Sequence, residues 1–377
     1  MRIWIQRIMA AVLVMSLLLG GGSAYATEPT ETAPPATEAP AEAITEAPTE
    51  APTEVPTEAP TEVPEETEPE PTEPHVYTVD TESGIYQLCQ EMSVDMPYDQ
   101  LLVYDATNDE ILFSDTREGD KLYPASVTKL FSAYVALQYL DPVDVITVGD
   151  EMDLVHAGSS LAYIGKGNSL YVRMLVEGMM LPSGNDAAII LATAAGRKIA
   201  GNEEITPTEA MQAFVREMNR MAKELGFERS HFSNPDGWHT GSHYTCLNDM
   251  ARIAKLALED KTIARYMRMG EDEVTFLSGQ TKEWKNTNLL VNTEEGFYRY
   301  DAIGMKTGYT RPAEYCLMSA FRLNDGRNLV VGVFGYADSY KRFNDVNRLV
   351  AACKEQFAEE AKAAREAEKE ANSNGTP

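Results

Sequence analysis

The sequence predicts an α/β fold of the α+β kind: an antiparallel sheet of about five strands covered by helices, with a helical lobe inserted between early and late strands. Three observations predict it. Two short strand-patterned segments, 100–105 and 110–114, flank the polar turn Ala106-Thr107-Asn108-Asp109 and read as a hairpin. A long block of helical periodicity follows. Three further strand-like segments, 302–306, 315–323 and 329–334, precede a closing helix over 340–357.

Taken in order, the chain opens with an export signal. Arg2 and Arg7 bracket a short basic region, residues 8–20 are apolar, and Ala24-Tyr25-Ala26 offers the small residues a signal peptidase needs. Cleavage is expected after Ala26. An uncleaved anchor is the alternative, although the apolar run is shorter than the roughly 20 residues that span a bilayer. Residues 27–74 are a low-complexity stalk in which Thr-Glu-Ala/Val-Pro repeats from Thr45 to Pro64. Proline every fourth residue blocks helix and ladder alike, and mutual repulsion of glutamates keeps the segment extended, with a reach on the order of 150 Å. A solvated tail without a reach function is the plainer alternative. An ordered domain is expected over 75–357, followed by a charged tail over 358–377.

Within that domain, 81–92 reads as a short helix. A helix over 126–140 is ended by Asp141-Pro142, and a second helical region, 170–196, is broken at Leu181-Pro182-Ser183-Gly184-Asn185. The stretch 209–225 is amphipathic and stops at Gly226, so its methionines belong to a core. Residues 248–258 are helical again, and Asn324-Asp325-Gly326-Arg327 is a hairpin turn between the last two strands. The tail after residue 357 lacks an apolar stripe and reads as a solvated helix end.

The net charge of −27 excludes some partners. The stalk carries fourteen glutamates and no lysine or arginine, and the remainder from His75 has 45 acidic against 30 basic residues. Nucleic acid and anionic lipid both need clustered cations, so neither is expected as a partner. Cys89, Cys246, Cys316 and Cys353 are scattered without metal-ligand spacing and are expected mostly as free, partly buried thiols.

The chemistry concentrates in Pro124-Ala125-Ser126-Val127-Thr128-Lys129, where a hydroxyl and an amine three residues apart share a helix face. Alone, such a spacing arises by chance and describes any exposed helix start. It is joined by Ser183-Gly184-Asn185 in a turn between helices and by Lys306-Thr307-Gly308 at the end of a strand. In this order the three form the motif set of penicillin-binding proteins and serine β-lactamases. Residues 99–335 resemble the serine D-alanyl-D-alanine carboxypeptidases of low molecular weight. The likeness runs through Gly158-Ser159-Ser160, 181–188, 233–237, 286–290 and 304–310.

The resemblance implies a β-lactamase/transpeptidase-like fold and a peptidase that cuts the D-Ala-D-Ala bond of peptidoglycan stem peptides without metal or organic cofactor. It implies Ser126 as nucleophile, Lys129 as its base, and Ser183 as a proton relay between Lys129 and the leaving amine. Asn185 would hold Lys129 and the substrate amide. Lys306 and Thr307 would bind the terminal carboxylate, and Gly308 would let the substrate backbone lie close to the strand. Ser126 and Tyr309 would supply the oxyanion-hole N–H groups. Lys129 must be neutral to act, which calls for burial and a cationic neighbour such as Lys306. β-Lactams would acylate the same serine. The site would lie in the cell envelope, outside the cytoplasm, with membrane contact only through a retained leader.

Competing readings are an endopeptidase, a β-lactamase, and a non-catalytic wall-binding or penicillin-sensing protein. No Glu-x-x-Leu-Asn segment of the class A β-lactamases lies between the second and third motifs, and all three motifs are intact. His231, His239 and His243 near Asp236 invite a zinc assignment, but the resemblance makes 233–237 a structural turn. Residues 238–245 depart from the family pattern. So does Glu314, where glycine is common.

Overall fold

The computed structural model describes residues 77–117, 119 and 121–374. The expected leader, cleavage site and stalk lie outside the described residues. A first helix α1, Gly84–Ser93, starts where the Ser83 hydroxyl accepts the Tyr86 N–H at 3.2 Å. Strands β1, Gln100–Asp105, and β2, Glu110–Thr116, form the expected hairpin.

The helical lobe comes next. A single 3-10 turn, Ala125–Val127, leads into α2, Thr128–Leu137, so the helix read from Ser126 begins two residues later. Ala125 stands at φ +47°, which no continuous helix entry allows. A small ladder of β3, Val145–Thr147, and β4, Ser169–Tyr171, precedes α3, Val172–Met180. The break at Pro182 then separates α3 from α4, Asn185–Ala200, as the sequence predicts. Helix α5, Pro207–Glu224, opens on a capping box between Thr206 and Glu209, and α6, Leu247–Glu259, follows.

The sequence reading missed α7, Lys261–Met267, and the hairpin of β5, Glu271–Thr275, with β6, Thr281–Lys285. In that hairpin only Val274 and Trp284 are buried, so there is no apolar alternation to detect. Trp284 nonetheless fills the lobe beside Phe276 and donates from Nε1 to the Ala162 carbonyl at 2.9 Å.

Strands β7, Ala302–Thr310, β8, Glu314–Arg322, and β9, Asn328–Tyr336, complete an antiparallel sheet of order β2-β1-β9-β8-β7. The first hairpin thus pairs with the last strand, and the lobe is inserted between them. Period-two alternation divides the core. Leu102, Tyr104, Met318, Ala320 and Val330 face the lobe. Leu101, Val103, Leu317, Phe321, Val331 and Val333 face α1 and the closing helix α8, Lys341–Asn374. Phe343, Val346, Leu349, Val350, Cys353 and Phe357 line its buried stripe. From Ala358 to Ala371 every residue is exposed, as expected of a solvated helix end. No helix among the described residues is long and apolar enough to cross a membrane.

Trp284→Ala should remove a buried indole and the hydrogen bond that secures residue 162. We expect a loss of about 3–5 kcal/mol in denaturant unfolding. A loss below 1 kcal/mol would show that the hairpin is not part of the lobe's core.

Candidate active site

Ser126 sits on the 3-10 turn, partly exposed at the floor of a cleft of about 530 Å³. The turn is held from below by segment 232–243. His243 is buried, and its Nδ1 accepts the Ser233 N–H at 3.2 Å. That fixes the tautomer: Nε2 carries the proton and donates to Thr128 Oγ1 at 2.8 Å. The Thr128 hydroxyl in turn donates to the Ala125 carbonyl at 2.8 Å. Burial pushes His243 down to about 3, so the ring stays neutral. The cluster that invited a zinc assignment therefore includes a histidine already committed on both nitrogens.

Two glycines allow the surrounding backbones to approach the turn. A Cβ at Gly237, φ +82°, would stand 1.8 Å from the Ala125 carbonyl oxygen. One at Gly308 would stand 2.9 Å from Pro124 O and 3.1 Å from Ser126 N. Gly308 lines the cleft, and its missing side chain makes room for the serine turn.

Lys129 is fully buried one turn into the assembly. Its Nζ lies 2.8 Å from each of three acceptors: Ser126 Oγ, Asn185 Oδ1 and the Asp236 carbonyl. Burial pushes its pKa down to about 8, against the opposing pull of the Asp236 and Asp186 carboxylates. The expected depression by Lys306 is not what lowers it; burial is. A neutral amine has two hydrogens, which Asn185 and Asp236 O can take, leaving its lone pair toward the serine hydroxyl. Asn185 Nδ2 donates to Ser159 Oγ at 3.1 Å, so the loop before α3 also fixes this cradle.

Ser183 lines the cleft at φ +62°, a strained conformation for a residue with a Cβ. It is not among the three hydrogen-bond partners of Lys129.

Strand β7 forms the opposite wall. Gly304 and Met305 have φ of +98° and +109° at a bulge just before Lys306. Lys306 is fully buried, and its Nζ donates to the Thr307 carbonyl at 3.0 Å. Burial first, then the charges of Lys129 and Arg342, hold it well below the usual lysine range. Thr307 Oγ1 donates to Thr287 Oγ1 at 2.7 Å, within the cleft lining. Tyr309 is 56% exposed at the rim, and Glu314, where a glycine is common, adopts φ +51°.

The sequence reading missed Arg342. From the first turn of α8 it reaches the cleft, donating to Cys316 O at 2.8 Å and Gly308 O at 3.4 Å, while its buried Nε has no partner among the described residues. Burial lowers it to about 10. Nothing in the local sequence marks it; only the packing of α8 across β8 delivers it.

The fold is of the β-lactamase/transpeptidase-like class. The family model for D-alanyl-D-alanine carboxypeptidase, peptidase S11, matches residues 90–337, and the chain belongs to that family. D-alanyl-D-alanine carboxypeptidase DacF of Bacillus subtilis is 30% identical over 235 residues, covering 62% of this chain and 56% of the relative. The D-alanyl-D-alanine carboxypeptidase of Streptomyces sp. strain K15 is 32% identical, covering 58% and 72%. The crystal structure of the Streptomyces K15 DD-transpeptidase superposes with TM-score 0.61 at 27% identity, covering 70% of this chain and 98% of that one. The chain spans a little over half the length of several curated relatives it matches.

Thr128→Val keeps the shape of the side chain but strands the buried His243 N–H. A destabilisation of about 1–3 kcal/mol is expected by denaturant titration. No change would mean the hydrogen-bond chain does not support the turn.

Proposed function

We propose that this protein is a serine D-Ala-D-Ala carboxypeptidase, exported to the cell envelope, that trims peptidoglycan stem peptides. The observation that carries the reading is the 2.8 Å contact between Ser126 Oγ and a fully buried Lys129 amine whose remaining hydrogens have acceptors. It joins a nucleophile to a base that burial keeps close to neutrality. The charged leader, apolar run and acidic stalk support export.

In the proposed reaction Lys129 takes the Ser126 proton as Oγ attacks the carbonyl of the penultimate D-alanine. The Ser126 and Tyr309 N–H groups receive the developing oxyanion, where one such donor is typically worth about 3 kcal/mol. Ser183 passes the proton to the leaving amine once substrate bridges the gap between it and Lys129. Water then hydrolyses the acyl-enzyme. The substrate carboxylate docks against Thr307 Oγ1, Lys306 and Arg342, and the guanidinium brings the dominant charge because Lys306 is strongly depressed before an anion arrives. Asn185 orients the lysine and the substrate amide. β-Lactams acylate Ser126 by the same first step.

The likeness to a DD-transpeptidase favours one second reading, in which an amine rather than water accepts the acyl group. Incubation with a pentapeptide ending in D-Ala-D-Ala, with and without an amino-acid acceptor, separates the two by product.

Wild-type protein should label covalently with fluorescent penicillin and release free D-alanine, and Ser126→Ala should do neither. Undiminished labelling of that variant would overturn the assignment.

The depressed lysine sets a pH profile. Below about 8 most Lys129 carries a proton and cannot accept another, so the acylation rate constant should climb about tenfold per pH unit from pH 6 and level off above 8. A stopped-flow profile flat between pH 6 and 8 would exclude Lys129 as the base.

A further inference from the structure

Two of the four cysteines are not scattered in space. Cys89 on α1 and Cys353 on α8 are 264 positions apart, yet their sulfurs lie 3.9 Å from each other. Both are fully buried, in the core layer between the sheet and the two helices. They belong to the apolar cluster that includes Ile85, Val350 and Phe357. Cys246 and Cys316, by contrast, sit apart on the lobe side of the sheet: Cys246 precedes α6, and the Cys316 thiol reaches the Tyr123 and Ala313 carbonyls.

We propose that Cys89 and Cys353 form a disulfide in the exported protein, fastening the first helix of the domain to the last. The inference rests on the export reading above, because an oxidising compartment is what makes a structural disulfide persist. The sulfurs need to close from 3.9 Å to about 2.05 Å. In the step itself, one thiolate attacks an organic disulfide R–S–S–R and expels RS⁻. The second thiolate then attacks the mixed disulfide and expels the other RS⁻. Two thiols are oxidised by two electrons, R–S–S–R is reduced to two RSH, and the two cysteine protons end on the leaving thiolates.

The hydrogen bond to Cys353 and burial both push the Cys89 thiol up. Exchange in the closed domain is therefore slow, and the bridge forms during folding, before α1 seats on α8. Its effect follows from topology. Helix α1 precedes β1 and rests against β2 and α8. The bridge ties it to α8, which is anchored to the end of β9 by Tyr336–Asp345 and to the loop before β7 by the Arg299 contact to Asn347 O. Closing so long a loop also removes much of the freedom of the unfolded chain.

The test uses the full chain recovered from its exported form and denatured in iodoacetamide without reductant. We expect two alkylated cysteines, Cys246 and Cys316, and a peptide-mapped bridge between Cys89 and Cys353. The melting temperature should fall by roughly 5–10 °C after reduction of the unfolded protein and refolding under reductant, and Cys89→Ser should match that loss and be indifferent to reductant. Four alkylated cysteines, or a bridge to another partner, would overturn the proposal. Penicillin labelling of Ser126 is measured in parallel and should persist in Cys89→Ser, so a failed active-site assignment and a failed bridge are read separately.

Discussion

The structure depends on one buried amine. Lys129 is removed from water entirely, and a buried ammonium is tolerated only where its hydrogens have acceptors or its charge is shed. The fold meets the first and moves toward the second, because the amine has three acceptors and burial brings its pKa down to about 8. Its acceptors come from three separate places: the serine turn, the start of α4 and the loop that carries Asp236. Those segments lie 56 and 107 residues from Lys129 in sequence. The helical lobe can therefore be read as the apparatus that brings them together, and the break between α3 and α4 exists where Asn185 must face the lysine.

The same logic explains why the approach to Ser126 is so tightly specified. The turn is strained at Ala125 and touched by backbone on two sides. From one side Gly237 closes on the Ala125 carbonyl, and from the other Gly308 closes on Pro124 and Ser126. The carbonyl that faces Gly237 also accepts the Thr128 hydroxyl. A polar chain from Ser233 through His243 and Thr128 thus ends on the atom whose position sets the serine's backbone. Fully satisfied buried networks of this kind favour one arrangement, because every shifted alternative leaves a donor unpaired.

Much of this was legible in the sequence. The five strands, the break at Pro182 and the hairpin at Asp325-Gly326 are legible from period and turn chemistry, and the three motifs from the family resemblance. The positions of Ser126, Lys129 and Asn185 in one cradle follow those motifs closely. The hairpin β5–β6 was not legible, because its exposed face is charged and its buried face is a single residue per strand. Arg342 and His243 were not legible as site residues for a different reason. Each acts from an element remote in sequence, and nothing local distinguishes a cleft arginine from a surface one. Glu314 shows the converse: a departure from the family's glycine visible in sequence becomes a left-handed backbone in the structure.

The second wall of the cleft poses an energetic problem that the first does not. Lys129 has Asp236 and Asp186 nearby to moderate its burial, whereas the shifts of Lys306 come only from burial and two other cations. Arg342 adds a buried Nε with no partner among the described residues. Such an arrangement costs stability in the free protein, since Lys306 has to shed its proton to be accommodated and the buried guanidinium has no charge partner there. It is intelligible if the missing partner is an anion delivered by the substrate. A carboxylate between Thr307, Lys306 and Arg342 would restore the proton to Lys306 and satisfy the guanidinium in the same event. Binding would then release strain stored in the free site, and the affinity for a free C-terminus would come from the protein's own unpaired charge rather than from extensive contact with the rest of the peptide. On the proposed function, a preference for a terminal carboxylate would be set by α8 as much as by β7, and a residue after the last motif would belong to the site.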